Sequence, residues 1–326
     1  MRSPMDRMSM EEEQLDSWAV ESFAYQSYDG HPDGVTCIHV AHDTLISGGR
    51  DRLVRVWHLK ERKCRAQLEG HTSNIRCLDL ARGLLVSGGE ATVRIWDVGS
   101  TWRQSGTLVG HNHFVSALSL DEDLRLVTAS WDRTLRVWHL PDDGSSAQSI
   151  ATLGGHTSSI LSLDRAADRA VSGSLSGEVY MWNLLTEQLT MRAHTAEGMA
   201  VNALVWERNV LFCAADMDVL IIDTGTGRKI ETLKGHTDVI TSIVVSMPWV
   251  LTGSRDASIK VWSTRSWRCV RTMSAPGVRC LNLISAERLL LVGLDSGEIQ
   301  WWKQGRDSEL LAPLAAPSPK PRMNLA

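Results

Sequence analysis

Along Gly235 to Trp262, GHTDVITSIVVSMPWVLTGSRDASIKVW, apolar and polar residues alternate in three short runs. Gly-His opens the first run, a tight turn at Ser254-Arg255-Asp256-Ala257 separates the second from the third, and a Trp ends the third. Period-two alternation broken by turn residues predicts three antiparallel strands, and Arg268–Met273 predicts a fourth. Four strands alone bury too little apolar surface to be stable, so further copies must pack on either side.

The copies are present. The Trp position recurs at Trp57, Trp96, Trp138, Trp182, Ile222, Trp262 and Trp302, at spacings of 39, 42, 44, 40, 40 and 40 residues. The His position recurs at His31, His71, His111, His156, His194, His236 and, by alignment, Ser274. Trp18–Tyr28 precedes the first Gly-His, where later repeats carry their outer strand. It is an outer strand without a sheet of its own, and pairing with the last unit, which ends near Lys303, would hide an open edge. Ser308–Leu314 competes for that place. Trp18, Val20, Phe23 and Tyr25 favour the N-terminal segment.

Two marks repeated at this period resemble the WD40 repeat family over roughly residues 18 to 303. The resemblance implies an all-β, seven-bladed propeller closed by the N-terminal strand on the last blade. Each blade packs only on its neighbours, so a chain of this length forms one domain. Residues 1–17, acidic through Glu11, Glu12, Glu13 and Asp16, are expected to be a disordered tail, as is the Pro-rich segment 304–326.

The resemblance also implies a hydrogen-bonded set of His, Ser or Thr, Asp and Trp inside each blade. The first repeat has a complete set in His31, Ser47, Asp51 and Trp57. The third has His111, Thr128, Asp132 and Trp138, and the sixth has His236, Thr252, Asp256 and Trp262. In the second, Glu90 replaces Asp beside His71, Ser87 and Trp96. The fourth repeat keeps His156, Ser172 and Trp182 with Ser176 at the Asp position. The fifth keeps His194 and Asp216 with Cys213 and Ile222, and the seventh keeps only Trp302. Ser, His and Asp in contact invite a hydrolase reading. Repetition in several blades argues for structure instead, because no enzyme needs several copies of a triad. Arg55, Arg94, Arg136 and Lys260, each two before the Trp, are expected on a solvated strand face.

Composition narrows the function. The chain has 34 basic and 38 acidic residues, a net charge of −4, which does not suit a phosphate-backbone binder. It has no apolar run long enough to span a bilayer and no signal-peptide pattern at its start. The six cysteines show no Cys-x-x-Cys spacing. Cys37, Cys77 and Cys280 occupy one position in three repeats and are expected as buried reduced thiols, pointing to cytosol or nucleus rather than to a metal site. No cofactor motif is present: Thr224–Arg228 is Gly-rich but lies in a predicted hairpin without a helix to bind phosphate. Thirteen Trp against three Phe and three Tyr follow from the repeat, which supplies six of the Trp.

In propellers of this family, the residue before the set's Asp, and those three and five after its His, lie at the top rim of the central channel. The first position reads Arg50, Gly89, Trp131, Leu175, Ala215, Arg255 and Asp295. The five-after position reads Thr36, Arg76, Ser116, Leu161, Asn202, Thr241 and Arg279; the three-after position includes Asn74 and Phe114. Arg50 with Arg76, and Arg255 with Arg279, are expected to approach across the rim beside exposed Phe114 and Trp131. Paired guanidinium groups suit a phosphorylated or acidic peptide, since arginine forks onto phosphate oxygens. The placement resembles the substrate-binding propellers of F-box/WD ubiquitin-ligase receptors. The F-box of that family is missing here, and residues 1–17 are too short to hold it. The expectation is a non-catalytic platform for a protein or peptide partner, with ubiquitin-ligase components as candidate partners. The alternative is a general WD40 adaptor in trafficking, signalling or chromatin, and a propeller enzyme ranks third.

Overall fold

The computed structural model describes residues 23–304, apart from 42, 60, 62, 100, 101, 196, 197 and 285–288. The two tails expected at residues 1–17 and 304–326 therefore lie outside the described residues except for Gln304, as do Trp18, Val20 and the competing segment Ser308–Leu314.

Among the described residues, twenty-eight strands form seven four-stranded antiparallel sheets. Blade 1 is β2 (Val35–Ala41), β3 (Thr44–Gly49), β4 (Val54–His58) and β5 (Lys63–Leu68); blade 2 is β6 (Cys77–Ala81), β7 (Leu84–Gly88), β8 (Thr92–Asp97) and β9 (Arg103–Val109). Blade 3 is β10 (Val115–Leu120), β11 (Arg125–Ser130), β12 (Thr134–His139) and β13 (Ser149–Gly154); blade 4 is β14 (Ile160–Ala166), β15 (Arg169–Ser174), β16 (Glu178–Asn183) and β17 (Gln188–His194). Blade 5 is β18 (Val201–Glu207), β19 (Val210–Ala215), β20 (Asp218–Asp223) and β21 (Lys229–Leu233); blade 6 is β22 (Ile240–Ser246), β23 (Trp249–Ser254), β24 (Ser258–Ser263) and β25 (Arg268–Ser274). Blade 7 is β26 (Val278–Ile284), β27 (Leu289–Leu294) and β28 (Glu298–Gln304), and its outer strand is β1 (Phe23–Asp29) from the other end of the propeller. Phe23 faces Gln304 and Asp29 faces Glu298 in that pairing. Among the described residues no helix is long and apolar enough to cross a membrane.

Neighbouring blades lock through one repeated device. At the start of each innermost strand, or two residues before it in blade 2, a β-branched side chain meets the second strand of the preceding blade, where a residue with little or no side chain receives it. A Cβ on Gly48 would stand 2.5 Å from Ile75, on Gly173 2.4 Å from Val201, and on Gly293 2.8 Å from Val35. Blades 3 and 5 carry Ala129 and Ala214 instead, in the clusters that hold Ile160 and Ile240. Close packing of this kind leaves no room for an added methylene. The innermost hydroxyls add a polar seam. Thr36 donates to the carbonyls of Gly48 and Ile75, Ser116 to those of Ala129 and Ile160, and Thr241 to those of Gly253 and Val278. The repeat pattern places Thr36, Ser116 and Thr241 at the rim; they line the channel mouth, and their hydroxyls also link blade to blade.

Blade 7 lacks a His set. Its paired tryptophans face opposite sides: Trp301 packs with Val35 and Trp57 of blade 1, and Trp302 with Trp249 and Val261 of blade 6. The Trp302 indole donates to Gln300 in place of a Ser. All six cysteines are free thiols. Cys77 and Cys280 are buried and Cys37 half-buried, while Cys64 and Cys269 are exposed on outer strands. Burial pushes the Cys37 thiol up to about 12 and raises Cys77 and Cys280 as well.

Candidate functional site: the channel mouth

The polar sets fix the turns that carry the rim, so they come first. The indoles of Trp57, Trp96, Trp138 and Trp262 lie 2.9, 2.8, 3.0 and 2.9 Å from the hydroxyl oxygens of Ser47, Ser87, Thr128 and Thr252. Those hydroxyls in turn lie 2.8 Å (Ser47) and 2.7 Å (Ser87, Thr128 and Thr252) from Nε2 of His31, His71, His111 and His236. His Nδ1 meets Asp51 at 2.8 Å, Glu90 at 3.0 Å, Asp132 at 2.8 Å and Asp256 at 2.7 Å. An indole N–H can only donate and a carboxylate can only accept, so the Trp is the donor end of each set and the carboxylate the acceptor end; His71 Nδ1 lies within ion-pair distance of Glu90 without a hydrogen bond. Ser47, Ser87, Thr128 and Thr252 are each 0% exposed, so no ligand or substrate reaches them. They are links inside the blades and form no part of the channel mouth, and none can serve as the nucleophile of a hydrolase. Burial lowers the pKa of His31 and His236 against the opposing pull of Asp51 and Asp256.

The carboxylate also holds a turn. Arg52, Arg133 and Ala257, each next after the Asp, have φ of 67°, 72° and 65°, a left-handed conformation that costs a non-glycine residue. The same Asp accepts from the backbone N–H two residues on, at Leu53, Thr134 and Ser258, and so braces the strained residue. Blade 4 solves this differently. Gly177 takes φ of 82° without needing a brace, so Ser176 can stand at the Asp position. Glu178, two residues later, supplies the carboxylate: Oε2 accepts from His156 at 3.1 Å and from the Thr157 N–H at 3.0 Å, and Oε1 from the Thr157 hydroxyl at 2.8 Å and Tyr180 at 3.2 Å. Alignment on the Asp position passes over Glu178.

Blade 5 departs further. The repeat pattern puts His194 in a polar set, but it is the exposed last residue of β17, paired with Glu178. Gly70, Gly155 and Gly235, before the histidines of blades 2, 4 and 6, have φ of 148°, 155° and 156°, where L-residues rarely sit. At Ala193 the strand continues instead and carries His194 outward. Thr195 is buried instead and donates to the Met199 carbonyl. Arg55 corrects another expectation. It is 7% exposed rather than solvated, and its guanidinium binds Asp51. Arg94 binds Glu90 and Gln104, Arg136 binds Ser149, and Lys260 binds Thr272.

At the mouth, a cavity of about 380 Å³ is lined by Thr36, Arg50, Asn74, Arg76, Trp131 and Arg255, with Arg279, Asn202 and Leu161 from neighbouring blades. The arginines do not pair as the sequence predicts. Arg50 Nη2 and Arg279 Nε both reach Asp295 Oδ1, at 2.8 and 2.5 Å. Arg76 goes elsewhere: its guanidinium carbon lies 4.9 Å from the Phe114 ring centre and 4.5 Å from that of Trp131. Phe114 and Trp131 meet edge to face at 5.4 Å, with His113 packed against both, so the two rings are half-buried rather than fully exposed. Among the described residues Arg76 has no ion pair, and burial lowers its pKa with no neighbouring carboxylate to oppose it. Its Nε and the Nδ2 of Asn202 are buried without a hydrogen-bond partner. Arg255 is exposed and also lacks an ion pair among the described residues.

The mouth is thus divided. Blades 6, 7, 1 and 2 contribute Arg255, Arg279 with Asp295, Arg50 and Arg76. Blades 3 and 4 contribute Phe114, Trp131, Leu161 and Leu175, the last 53% exposed, and blade 5 contributes Asn202. Asn74 is exposed at the rim, and Gly89 lets its carbonyl approach: a Cβ there would stand 2.3 Å from the Asn74 oxygen. Among the described residues no group of three or more His, Cys, Asp or Glu is placed to hold a metal ion. The sequence names Asp295 and Asn202 as rim positions without their roles, and it does not single out His113.

Comparison with known proteins agrees with this architecture. The chain is 25% identical over 304 residues to nuclear distribution protein nudF of Aspergillus niger, covering 89% of this chain and 63% of that protein. It is 27% identical over 199 residues to ribosome biogenesis protein YTM1 of Candida glabrata, covering 53% of this chain and 42% of that protein. The chain therefore spans less than two thirds of the length of these relatives. A computationally designed protein, Ika8, has a crystal structure similar at a TM-score of 0.69 and 28% identity, over 82% of this chain and 83% of that one. The family described as WD domain, G-beta repeat matches residues 24–58, 62–97, 102–139, 147–183 and 227–263, more than half of the sequence, and the chain belongs to that family.

Proposed function

We propose that this propeller is a non-catalytic platform that binds a protein or peptide partner at the channel mouth through an acidic or phosphorylated group. WD-repeat propellers are protein-interaction scaffolds, which sets the general class. One observation carries the finer reading. Arg76 is a half-buried cation wedged between two aromatic rings, with no carboxylate and with a buried N–H that nothing accepts. A buried donor without a partner is costly, and an incoming oxygen anion would satisfy it. The rings hold the guanidinium in place, so little freedom is lost on binding. Substrate recognition for a ubiquitin ligase is one use of such a mouth, supported by the placement of Arg50, Arg76, Arg255 and Arg279. Free thiols at all six cysteines support cytosol or nucleus as the compartment.

The test is affinity purification with mass spectrometry, comparing wild type with Arg76→Ala and Trp131→Ala, with and without phosphatase treatment. Loss of the same partners in both variants supports the mouth. An unchanged partner set overturns it and leaves the second reading, a general adaptor working through its side or lower loops. That second reading is favoured by Asp295, which engages two of the four rim arginines. Recovery of ligase adaptor subunits tests the ligase assignment separately.

A further inference from the structure

The Arg50, Asp295 and Arg279 cluster is a built anion site whose anion belongs to the chain. Two guanidinium groups from different blades converge on a single carboxylate oxygen, at 2.8 and 2.5 Å. Arg50 and Asp295 are 245 residues apart in sequence, so this contact exists only because the ring brings blade 7 against blade 1. Backbone bonds set both ends: Arg50 N–H donates to Gly34, and Asp295 N–H to Gly277. The Asp295 side chain is 37% exposed, so once displaced it can turn into water rather than remain as a buried charge. Arg50 and Arg279 line the same cavity as Arg76.

We infer that Asp295 is a resident competitor that closes the Arg50–Arg279 subsite to ordinary carboxylates and leaves it open to phosphate. The inference rests on the mouth being the partner site. An aspartate or glutamate of a partner would replace one carboxylate by another, while losing the freedom that Asp295, already tethered, does not lose. It would also leave Asp295 as a second negative charge beside itself. A phosphorylated side chain carries about −1.5 to −2 charge at pH 7 and three strong acceptor oxygens, so it can take both guanidinium forks at once. Arg76 has no such competitor and receives either kind of anion. The two subsites therefore differ in what they admit, and Asp295 sets the difference.

The experiment uses three degenerate peptide libraries, identical except for a fixed central phosphoserine, glutamate or serine, measured on wild type, Asp295→Asn and Asp295→Ser. Wild type is expected to hold the phosphoserine library at least about tenfold more tightly than the glutamate library, the scale of one charge-assisted hydrogen bond. Neutralising Asp295 is expected to raise glutamate binding about tenfold and to narrow that ratio. A ratio unchanged in both neutral variants overturns the inference. If neither neutral variant folds, the Arg50→Gln/Arg279→Gln double variant decides. It is expected to lower the phosphoserine preference about tenfold, and a retained preference overturns the inference. Arg76→Ala separates the two readings. If wild-type binding of every library is absent or indifferent to Arg76→Ala, the mouth itself is not the site. If binding needs Arg76 but ignores Asp295, the mouth stands and the competitor does not.

Discussion

Glu178→Ala tests whether blade 4 is held by a displaced carboxylate. Glu178 is 3% exposed and accepts from His156, the Thr157 N–H and hydroxyl, and Tyr180. Removing it leaves the buried donors of His156 and Tyr180 unpaired at about 1–3 kcal/mol each before relaxation, and breaking a buried charged pair typically costs about 3–5 kcal/mol. Protonation gives a second measure. Burial pushes the Glu178 carboxyl upward, but bonds from Thr157 and His156 outweigh it and hold the group at about 2, against an ordinary 4.5. A carboxyl depressed by that much contributes on the order of 3 kcal/mol, fully present above its unfolded value and lost as pH falls toward 2. The two routes agree, so Glu178→Ala is expected to lose about 3–5 kcal/mol in urea unfolding at pH 7 followed by tryptophan fluorescence. Its stability should also fall less than that of wild type between pH 4.5 and about 2. Ser176→Asp with Glu178→Ser rebuilds the Asp-x-Ser arrangement of blade 6 and is expected to recover part of the loss. A Glu178→Ala protein within about 0.5 kcal/mol of wild type would refute the reasoning.

Other outcomes follow from the same geometry. Gly173→Ala drives a methyl into Val201 and is expected to cost about 1–3 kcal/mol by calorimetry, whereas blade 5 already tolerates Ala214 at the matching position. Arg55→Ala is expected to cost about 2–3 kcal/mol because it strips a charged bond from buried Asp51, while Lys260→Ala should stay within about 0.5 kcal/mol; equal unfolding midpoints would contradict this. Acidification should weaken the fold in two windows. His31, His156 and His236 are held neutral by burial, so stability present above about 6.5 declines as the unfolded chain takes up protons. Glu90 and Asp256, each about 2, add a steeper fall below about pH 4.5 with Glu178. A flat profile from pH 7 to 3 by circular dichroism would contradict both.

The strands, their period and four of the polar sets are legible in the sequence because they depend on residues within one repeat. Ser47, Ser87, Thr128 and Thr252 sit on the second strand directly across from the third, so one hairpin is enough to bring each beside its Trp. Ser254–Ala257 predicts its turn from local chemistry, and blade 6 forms as the alternation requires. What escapes is relational. The shift of the acid to Glu178 follows from Gly177 relieving a strained turn, a backbone fact that an alignment on side chains does not register. Arg55 and Lys260 share one repeat position, yet one is buried against Asp51 and the other bonds Thr272 at the surface. Adjacency of repeats pairs Arg50 with Arg76. The ring instead sets Arg50 against Asp295, from the far end of the propeller, and no local pattern encodes that meeting.

Blade 7 has one further implication, for the order of assembly. Its outer strand and its third strand are about 270 residues apart, and joining segments at that separation costs roughly 5 kcal/mol of chain entropy by the logarithmic rule for loops. The other six sheets are built from consecutive hairpins and can form as the chain emerges. The seventh must wait for both ends, so synthesis delivers six finished sheets and one waiting edge, and the hub acquires its Arg50–Asp295 bridge only when the last strand arrives.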